Sequence, residues 1–333
     1  MAAGILGIGV CLPEGLLTND DLAVRFGVTP EWIFERTGIR QRRIADLNQA
    51  CSDLAIAAAR QAMERSGTMP DEIGMVIVAT LTGDYPTPAT AAIVQGALGI
   101  PAAACFDLAA ACTGFVYGLT VSCQAVETGY CRKVLLIGAE VLSRVTNPQD
   151  RDCAILFGDG AGAAVIGQVP DGYGLLANEA GTIGSEYKAM NIPAGGSRLP
   201  ATAATVAGLQ HFTRMDGMVI FMFAMRLLGN ASLQVIEKAG LTLDDISLII
   251  PHQANRRIIE AAAQRLDIPL DKVLIALEAC GNTSAASIPL ALDTALRDGR
   301  IRHGDRLVLT AFGGGISWGA SVLRWYGAAE EDA

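Results

Sequence analysis

An internal repeat constrains the fold of this chain more than any other sequence feature. The segment QAMERSGTMPDEI at 61–73 matches QVIEKAGLTLDDI at 234–246, with identical Gln, Glu, Gly, Asp and Ile residues at a constant spacing of 173 positions. In both copies the pattern predicts a helix that ends at a glycine, then a short loop and a buried strand. Further similar sequence segments follow each copy in the same order. We therefore expect two similar halves, residues 1–172 and 173–333.

Strands alternate with helices in both halves of the sequence. Short apolar runs predict buried strands at 75–79, 134–137, 248–250 and 307–310. Such alternation is typical of parallel or mixed sheets that are covered by helices. The small-residue segments LAAACTGFVYGL and NTSAASIPLAL predict helices that are buried on all sides between two sheets. The sequence thus predicts a duplicated α/β fold in which ligands bind where the halves meet.

The composition narrows the possible classes of protein. Hydrophobic residues make up 51% of the 333 residues and charged residues 18%, which is typical of a compact enzyme and argues against disorder, collagen or a coiled coil. The 25 basic and 34 acidic side chains give a net charge of −9, which argues against a general nucleic-acid-binding protein. Any anionic partner must therefore bind a local basic patch.

Targeting and redox features favour a cytoplasmic protein. The first basic residue after Met1 is Arg25, so no charged segment precedes an apolar run, and no uncharged stretch approaches the ~20 residues of a membrane span. The eight cysteines form no C-x-x-C pair, so we expect reduced and mostly buried thiols. The sequence predicts neither a membrane nor a nucleic acid as a partner.

Two glycine motifs resemble parts of nucleotide-binding loops. Gly7-Ile8-Gly9 lacks the third glycine of a dinucleotide loop, because Leu12 occupies that position and no clear helix begins there. The run FGDGAG at 157–162 lacks the Lys-Ser/Thr pair of a phosphate loop and leads directly into the apolar AAVIG. A turn between strands is therefore expected at 157–162.

Three polar residues interrupt segments of the repeat that otherwise contain apolar or small residues. Cys112 begins the buried helix of the first half, where the helix dipole and free N–H groups would lower the pKa of the thiol and favour the thiolate. His252 follows the buried strand of the second half, and Asn282 lies in the segment that corresponds to the one carrying Cys112. Each residue alone could be structural. The pseudo-symmetry of the halves predicts that all three meet at one point.

Five long motifs follow one another along nearly the whole chain. They are DLAAACTGF (107–115), FGDGAGAAV (157–165), PHQANRRI (251–258), GNTSAASIP (281–289) and FGGGISWGA (312–320). With these motifs the chain resembles the β-ketoacyl-acyl-carrier-protein synthase III family, the type III condensing enzymes of the thiolase superfamily. The resemblance implies a duplicated, thiolase-like five-layer αβαβα fold with two mixed sheets, and a homodimer. It also implies a Cys-His-Asn catalytic set.

The resemblance further implies a two-step reaction. Cys112 would attack an acyl-CoA thioester, giving an acyl-enzyme and free CoA. Malonyl-acyl-carrier protein would then lose CO₂, while His252 and Asn282 donate hydrogen bonds to the enolate oxygen. The enolate carbon would attack the acyl-Cys112 carbonyl, whose oxyanion would accept hydrogen bonds from the backbone N–H groups of Cys112 and Gly314. This reaction initiates fatty acid synthesis and needs no permanently bound cofactor and no metal.

Other positions match binding residues of the family. Trp32 and Arg151 lie where the family sandwiches the CoA adenine, and both side chains present flat faces that suit a purine. The remaining expected CoA contacts are Arg36, Phe221 and Asn255.

The resemblance also predicts where the acidic carrier protein docks. Arg257 matches a docking position of the family, and Arg256 and Arg265 could extend a basic patch around it. Met222 stands where a docking lysine is common. We therefore expect a weaker patch or a different partner.

Thr87 and Phe312 are the expected residues of the acyl pocket. Thr87 sits where some members of the family place a phenylalanine that blocks the pocket from the other subunit. The shorter side chain predicts room for longer or branched acyl groups.

Two other reactions of the superfamily are disfavoured. A degradative thiolase needs a second catalytic cysteine just before the C-terminal glycine run, where this chain has Ala311-Phe312. Hydroxymethylglutaryl-CoA synthase uses a carboxylate as general base, and the segment TLTGDYPTP has no matching Glu, although Asp84 is nearby.

Two further alternatives concern the biological role. The chain could be a starter-unit condensing enzyme or an acyltransferase of a polyketide or signal-molecule pathway. Pure acyltransferases often alter the catalytic His or Asn, whereas His252 and Asn282 are both present here. A non-catalytic subunit that only shapes the pocket of a partner is disfavoured by the intact Cys112.

Overall fold

The computed structural model describes residues 2–327, and within this range the chain forms thirteen β-strands and ten α-helices. The strands are β1 (Ala2–Cys11), β2 (Gly15–Thr18), β3 (Gln41–Ile44), β4 (Ile73–Ala79), β5 (Ala104–Leu108), β6 (Lys133–Glu140), β7 (Gly160–Val169), β8 (Gly174–Thr182), β9 (Met190–Asn191), β10 (Arg214–Met215), β11 (Leu248–Pro251), β12 (Arg306–Gly313) and β13 (Ser317–Arg324). The α-helices are α1 (Asn19–Phe26), α2 (Pro30–Thr37), α3 (Cys51–Arg65), α4 (Thr90–Ala97), α5 (Gly114–Glu127), α6 (Arg151–Ala154), α7 (Ala203–Ala207), α8 (Gly217–Lys238), α9 (Arg256–Arg265) and α10 (Ser287–Arg297).

Two mixed sheets with the same strand order form the frame of the protein. The first sheet has the order β1-β7-β6-β4-β5, with parallel pairing between β6, β4 and β5 and antiparallel pairing elsewhere. The second has the order β8-β13-β12-β11, in which only β11 and β12 are parallel. Beside β11, a single parallel bridge between Ile249 and Val273 takes the place that β5 has in the first sheet. The four predicted strands fall within β4, β6, β11 and β12.

The helices form three layers around the two sheets. The apolar helices α5 and α10 lie between the sheets, which explains why nearly all their faces carry small or hydrophobic residues. Helices α3 and α4 cover the outer face of the first sheet, and α8 and α9 cover the outer face of the second. The result is the αβαβα order of layers that the sequence predicts.

The repeat is visible in the short elements as well. The 3₁₀ turn Pro70–Glu72 recurs as Leu243–Asp245, and Ala111–Thr113 recurs as Ser284–Ala286, in both cases 173 residues further along the chain. At the same spacing, Ala285 is the counterpart of Cys112. The second half therefore repeats the backbone of the first without repeating its thiol.

The two sheets divide the described chain between β7 and β8. Val169 ends β7 and Gly174 begins β8, on either side of the expected boundary between residues 1–172 and 173–333. The division of the chain into two domains at that boundary stays a prediction.

The two glycine motifs lie in or directly before strands of the first sheet. Gly7 and Gly9 lie in β1 against α3, where a Cβ on Gly9 would lie only 2.2 Å from the carbonyl oxygen of Ala58. Glycine thus lets the strand and the helix approach closely. The expected turn between strands at 157–162 is wrong, because this run follows α6 and its last three residues already belong to β7. Phe157 instead forms a single parallel bridge with Asn282 of the second half.

Helix α8 is long and apolar enough to cross a membrane by length and composition alone. A core helix of a globular domain meets the same two criteria. Here α8 packs its buried residues, among them Ala224, Leu228 and Val235, against the second sheet and α9.

Candidate active site

Cys112, His252 and Asn282 line one cavity of about 310 Å³ where the two halves meet. Cys112 lies in the 3₁₀ turn Ala111–Thr113 that precedes α5, and His252 directly follows β11. Asn282 precedes the matching turn Ser284–Ala286. All three side chains are buried. The structure thus brings together the three residues that the sequence singles out.

The backbone around Cys112 is tightly packed. Ala111 has a positive φ of 47°, and a Cβ on Gly313 would lie 2.8 Å from the Cys112 nitrogen. Glycine at position 313 therefore allows the end of β12 to approach the Cys112 amide. Gly314 comes next, and a Cβ there would lie 3.5 Å from the Ala111 Cβ. The part of Gly314 in an oxyanion hole stays a prediction.

The Cys112 thiol is protonated in the resting site. Burial raises its pKa to about 12, against a hydrogen bond with Ser284, and the negative charge of Glu140 raises it further. The sequence-based expectation of a lowered pKa is wrong for this state. Full burial removes the water that would stabilise a thiolate, and α5 itself begins only at Gly114.

His252 is a neutral hydrogen-bond donor in this cavity. Burial lowers the pKa of its ring to about 3. The Nδ1 atom lies 2.6 Å from the Ser287 hydroxyl oxygen, which also accepts a longer hydrogen bond of 3.4 Å from the Gln253 N–H. With that N–H donating to the oxygen, the hydroxyl proton is free to bond to Nδ1. We infer that the ring proton of His252 is on Nε2.

Asn282 is held by both its backbone and its side chain. Its N–H donates to the Leu156 carbonyl and its carbonyl accepts from the Gly158 N–H, each at 2.9 Å. The side-chain Oδ1 accepts from the Ser284 N–H, also at 2.9 Å. Because Oδ1 is occupied in this way, the amide group Nδ2 is left as a donor.

The mouth of the cavity carries the predicted adenine site. The Arg36 guanidinium lies 4.3 Å from the centroid of the Trp32 ring, and the Arg151 guanidinium lies 5.1 Å from it. An intercalated purine would need ~7–8 Å between its two neighbours, twice the van der Waals spacing. The expected sandwich of Trp32 and Arg151 is therefore closed in this structure, and CoA binding would require an arginine side chain to move.

Phe221 and Asn255 also line the cavity. Asn255 already has protein partners, because its Nδ2 donates to the Arg36 carbonyl at 3.0 Å and its Oδ1 accepts from the Arg257 N–H at 2.8 Å. It thereby caps α9 and ties it to α2. A contact of Asn255 with CoA stays a prediction.

The three predicted docking arginines are unequally placed. Arg257 is exposed and lines the mouth of the cavity. Arg256 forms an ion pair with Glu260 at 2.7 Å. Arg265 ends α9 and lies ~12 Å further along the helix than Arg257. Of the three arginines, Arg257 therefore lies nearest to where a docked carrier protein would enter the cavity. The exposed Met222 adds no positive charge to the expected docking patch.

The lining of the cavity, where the acyl pocket is expected, includes residues that sequence reasoning missed. The Phe312 ring lies 6.2 Å from the His252 ring and lines the cavity, as expected. Thr87 is exposed and does not line this cavity, so its expected place in the acyl pocket stays a prediction. Met190 and Met215 do line the cavity, and they pair with each other in the two-stranded antiparallel sheet of β9 and β10. The segment 192–213, including α7, connects these two strands.

Three more polar residues near the site were missed. Ser284 and Ser287 lie within the motif GNTSAASIP, so their positions were a signal that went unused. Glu140 ends the apolar run VLLIGA of β6, where an acidic residue is unusual. Within residues 2–327, no three His, Cys, Asp or Glu side chains are grouped as ligands of a metal ion.

The fold and the Cys-His-Asn cavity define a condensing enzyme of the thiolase type. Residues 106–184 match the family model of 3-oxoacyl-[acyl-carrier-protein] synthase III, and residues 236–325 match the model of its C-terminal part. The chain belongs to this family and is an acyltransferase of the condensing type.

Similar proteins agree over nearly their full length. The β-ketoacyl-[acyl-carrier-protein] synthase III of Caldanaerobacter subterraneus subsp. tengcongensis is 51% identical, covering 98% of both chains. That of Symbiobacterium thermophilum is 50% identical, covering 97% of this chain and 98% of its own. The solved structure from Thermus thermophilus is 43% identical, with a TM-score of 0.90, and the match covers 98% of this chain and 100% of that one. The predicted fold is confirmed, and these names give no support to a polyketide or signal-molecule role.

The neutral state of His252 leads to a first prediction. Because the pKa of its ring in the folded protein is about 3, the ring should stay uncharged between pH 5 and 8. The unfolded chain binds a proton below about pH 6.5, so the stability that the neutral ring contributes is lost as the pH falls from there towards 3. Histidine ¹⁵N NMR, with His252→Gln to assign the signal, should show an Nε2–H tautomer throughout this range.

Ser287→Ala is the matched control, because it removes the hydroxyl that bonds to Nδ1. It should weaken the tautomer preference without charging the ring. A protonation midpoint of His252 between pH 5 and 8, or an Nδ1–H tautomer in the wild type, would contradict the assignment.

Proposed function

We propose that the protein joins an acyl-CoA starter to malonyl-acyl-carrier protein by decarboxylative condensation. The products are 3-oxoacyl-acyl-carrier protein, CO₂ and CoA, and the reaction initiates fatty acid synthesis. One observation carries the proposal: a single buried cavity combines a thiol, Cys112, with two neutral donors, His252 and Asn282. Such a cavity suits a thioester whose oxygen becomes negative during the reaction.

The first half-reaction forms an acyl-enzyme on Cys112. The sulfur attacks the acyl carbonyl, the bond between that carbonyl and the CoA sulfur breaks, and the thiol proton ends on CoA. Because the resting thiol is neutral, it must lose its proton as the sulfur attacks the acyl carbonyl. The backbone N–H groups of Cys112 and Gly314 hold the oxyanion, and Gly313 gives the room for this approach.

The second half-reaction removes CO₂ from the malonyl group. The electron pair of the broken carbon–carbon bond is delocalised onto the thioester oxygen, which gives an enolate. The enolate oxygen accepts hydrogen bonds from His252 Nε2 and Asn282 Nδ2. Both donors are neutral, so malonyl enters without a permanent positive charge beside it. The enolate carbon then attacks the acyl carbonyl, the bond from that carbonyl to the Cys112 sulfur breaks, and the thiolate takes a proton from solvent.

The mouth of the cavity suits an anionic carrier of the acyl group. Trp32, Arg36 and Arg151 provide a flat and positive surface for the CoA nucleotide. Arg257 is placed to contact the acidic carrier protein. We also propose a homodimer, in which Thr87 faces the acyl pocket of the partner subunit. All eight cysteines are free thiols, which suits work in the reducing cytoplasm.

The division of labour between the three residues can be tested directly. Intact-protein mass spectrometry after mixing with acyl-CoA should show one acyl group on the wild type and none on Cys112→Ala. His252→Ala should still be acylated, because the ring is not a base for the thiol in this scheme. Its release of CO₂ from malonyl-carrier protein should fall by about 100-fold or more, the usual effect of losing an oxyanion donor.

Two results would contradict this scheme. An acyl group that persists on Cys112→Ala would remove Cys112 as the nucleophile. An equal loss of acylation and CO₂ release in His252→Ala would show that both steps need His252, whereas the scheme assigns it to CO₂ release alone.

The proposed position of Thr87 predicts the choice of acyl chain. Thr87→Phe should lower kcat/KM for longer acyl-CoAs and spare acetyl-CoA, because the ring would fill space that only longer chains use. Burial contributes roughly 0.8 kcal/mol per methylene, so a few carbons change the preference about tenfold or more. Thr87→Ser is the control and should keep the wild-type profile. If Thr87→Phe slows all chain lengths alike, position 87 does not set the depth of the pocket.

A further inference from the structure

Glu140 is a buried carboxyl group that the reaction described above does not use. It ends β6 and is fully buried. Its oxygens accept hydrogen bonds from Thr82 Oγ at 2.5 Å, Thr80 Oγ at 3.2 Å and the Leu81 N–H at 3.2 Å. The fourth donor is Ser284 Oγ, at 3.0 Å. Three donors thus come from the segment after β4, and one comes from the catalytic segment of the other half.

Burying a carboxyl group here carries a cost. Burial raises the pKa of Glu140 to about 7, against the hydrogen bonds from Thr82, Leu81, Ser284 and Thr80. An apolar residue would fill the end of a buried strand without that cost. The hydrogen bonds of this carboxyl therefore need an explanation beyond packing.

Ser284 connects Glu140 to the catalytic residues. Its hydroxyl donates to Glu140, while its N–H donates to Asn282 Oδ1 at 2.9 Å. The Ser284 hydroxyl is also a hydrogen-bond partner of the Cys112 side chain. Its φ is 50°, a left-handed conformation that a residue with a side chain adopts only when its surroundings hold it there. The anchor provided by Glu140 is one such restraint.

The internal repeat explains the location of Glu140. At the spacing of 173 residues, Glu140 corresponds to Gly313, whose backbone faces Cys112 in the cavity. Likewise, Thr80 corresponds to Gln253, the residue after His252. The position equivalent to Gly313 thus carries a carboxyl group in the first half, and that carboxyl accepts a hydrogen bond from Ser284 of the second half.

We propose that Glu140 is a positioning residue for the decarboxylation step. By accepting the hydrogen bond of Ser284, it fixes the turn that holds Asn282 Oδ1 and so keeps Nδ2 directed towards the substrate. Glu140 itself touches no substrate atom. This inference rests on the proposed function, because it assigns Asn282 to the enolate oxygen.

The variants Glu140→Ala, Glu140→Gln and Ser284→Ala test the proposal through the two half-reactions. We expect Glu140→Ala to lower the kcat of CO₂ release from malonyl-carrier protein by about tenfold or more, with its KM changed less than about twofold. Acylation of Cys112 should persist, because removing the negative charge of Glu140 favours the thiolate. Glu140→Gln should stay within about threefold of the wild type in CO₂ release, since its amide oxygen can accept from Ser284.

A double-mutant cycle tests whether Glu140 acts through Ser284. Ser284→Ala should reproduce the loss of CO₂ release, and Ser284→Ala in the Glu140→Ala background should add less than about twofold. Independent, multiplying losses would overturn the proposal. So would an active Glu140→Ala enzyme, or a Glu140→Gln enzyme as slow as Glu140→Ala. If Glu140→Ala does not fold, Ser284→Ala and Glu140→Gln test the proposal instead. Ser284→Ala should still slow CO₂ release by about tenfold or more, and Glu140→Gln should still stay within about threefold of the wild type.

Asp293→Ala is the matched control for a lost buried carboxyl. Asp293 lies on α10, where it binds Arg65 at 2.6 Å and Arg297 at 2.8 Å, and it has no contact with Ser284 among its hydrogen bonds. This variant should lower the melting temperature and leave the ratio of the two half-reaction rates unchanged. A changed ratio would show that destabilisation alone produces the effect. A wild-type protein that releases no CO₂ would instead overturn the proposed function itself.

Discussion

The site depends on the contact between two 3₁₀ turns, Ala111–Thr113 and Ser284–Ala286, which begin the buried helices α5 and α10. Each turn starts with a residue in the left-handed region, with φ values of 47° for Ala111 and 50° for Ser284. Such conformations are unfavourable for residues with a side chain and persist where the surrounding structure fixes them. Here the two turns contact each other, and this contact brings Cys112 and Asn282 into one cavity.

This packing buries the reacting thiol and the neighbouring imidazole. Burial keeps the Cys112 thiol protonated and keeps His252 uncharged. Around buried groups a hydrogen bond to a developing negative charge is stronger than in bulk water, because the local dielectric is lower. The site therefore suits a reaction in which negative charge is transient and develops on the oxygens of two thioesters. The arginines remain at the mouth, where they meet the anionic carriers.

Much of the fold could be predicted from the sequence, because its signals are local or repeated. The apolar runs marked β4, β6, β11 and β12, and the repeat predicted that Cys112 would meet residues of the second half. The rest depends on contacts between distant segments. Burial of the thiol, and hence the direction of its pKa, follows from tertiary packing. Met190 and Met215 meet only through a hairpin, and Glu140 binds a serine 144 residues away.

The central claim is that acyl transfer to Cys112 and loss of CO₂ belong to one reaction. Its most direct test is the product balance of the wild-type protein mixed with acyl-CoA and malonyl-carrier protein. We expect free CoA, CO₂ and 3-oxoacyl-carrier protein in equal amounts, with no CO₂-free transfer of the acyl group. Release of CoA together with an acyl-carrier protein that lacks the two added carbons, and without CO₂, would contradict the account and indicate a simple acyltransferase.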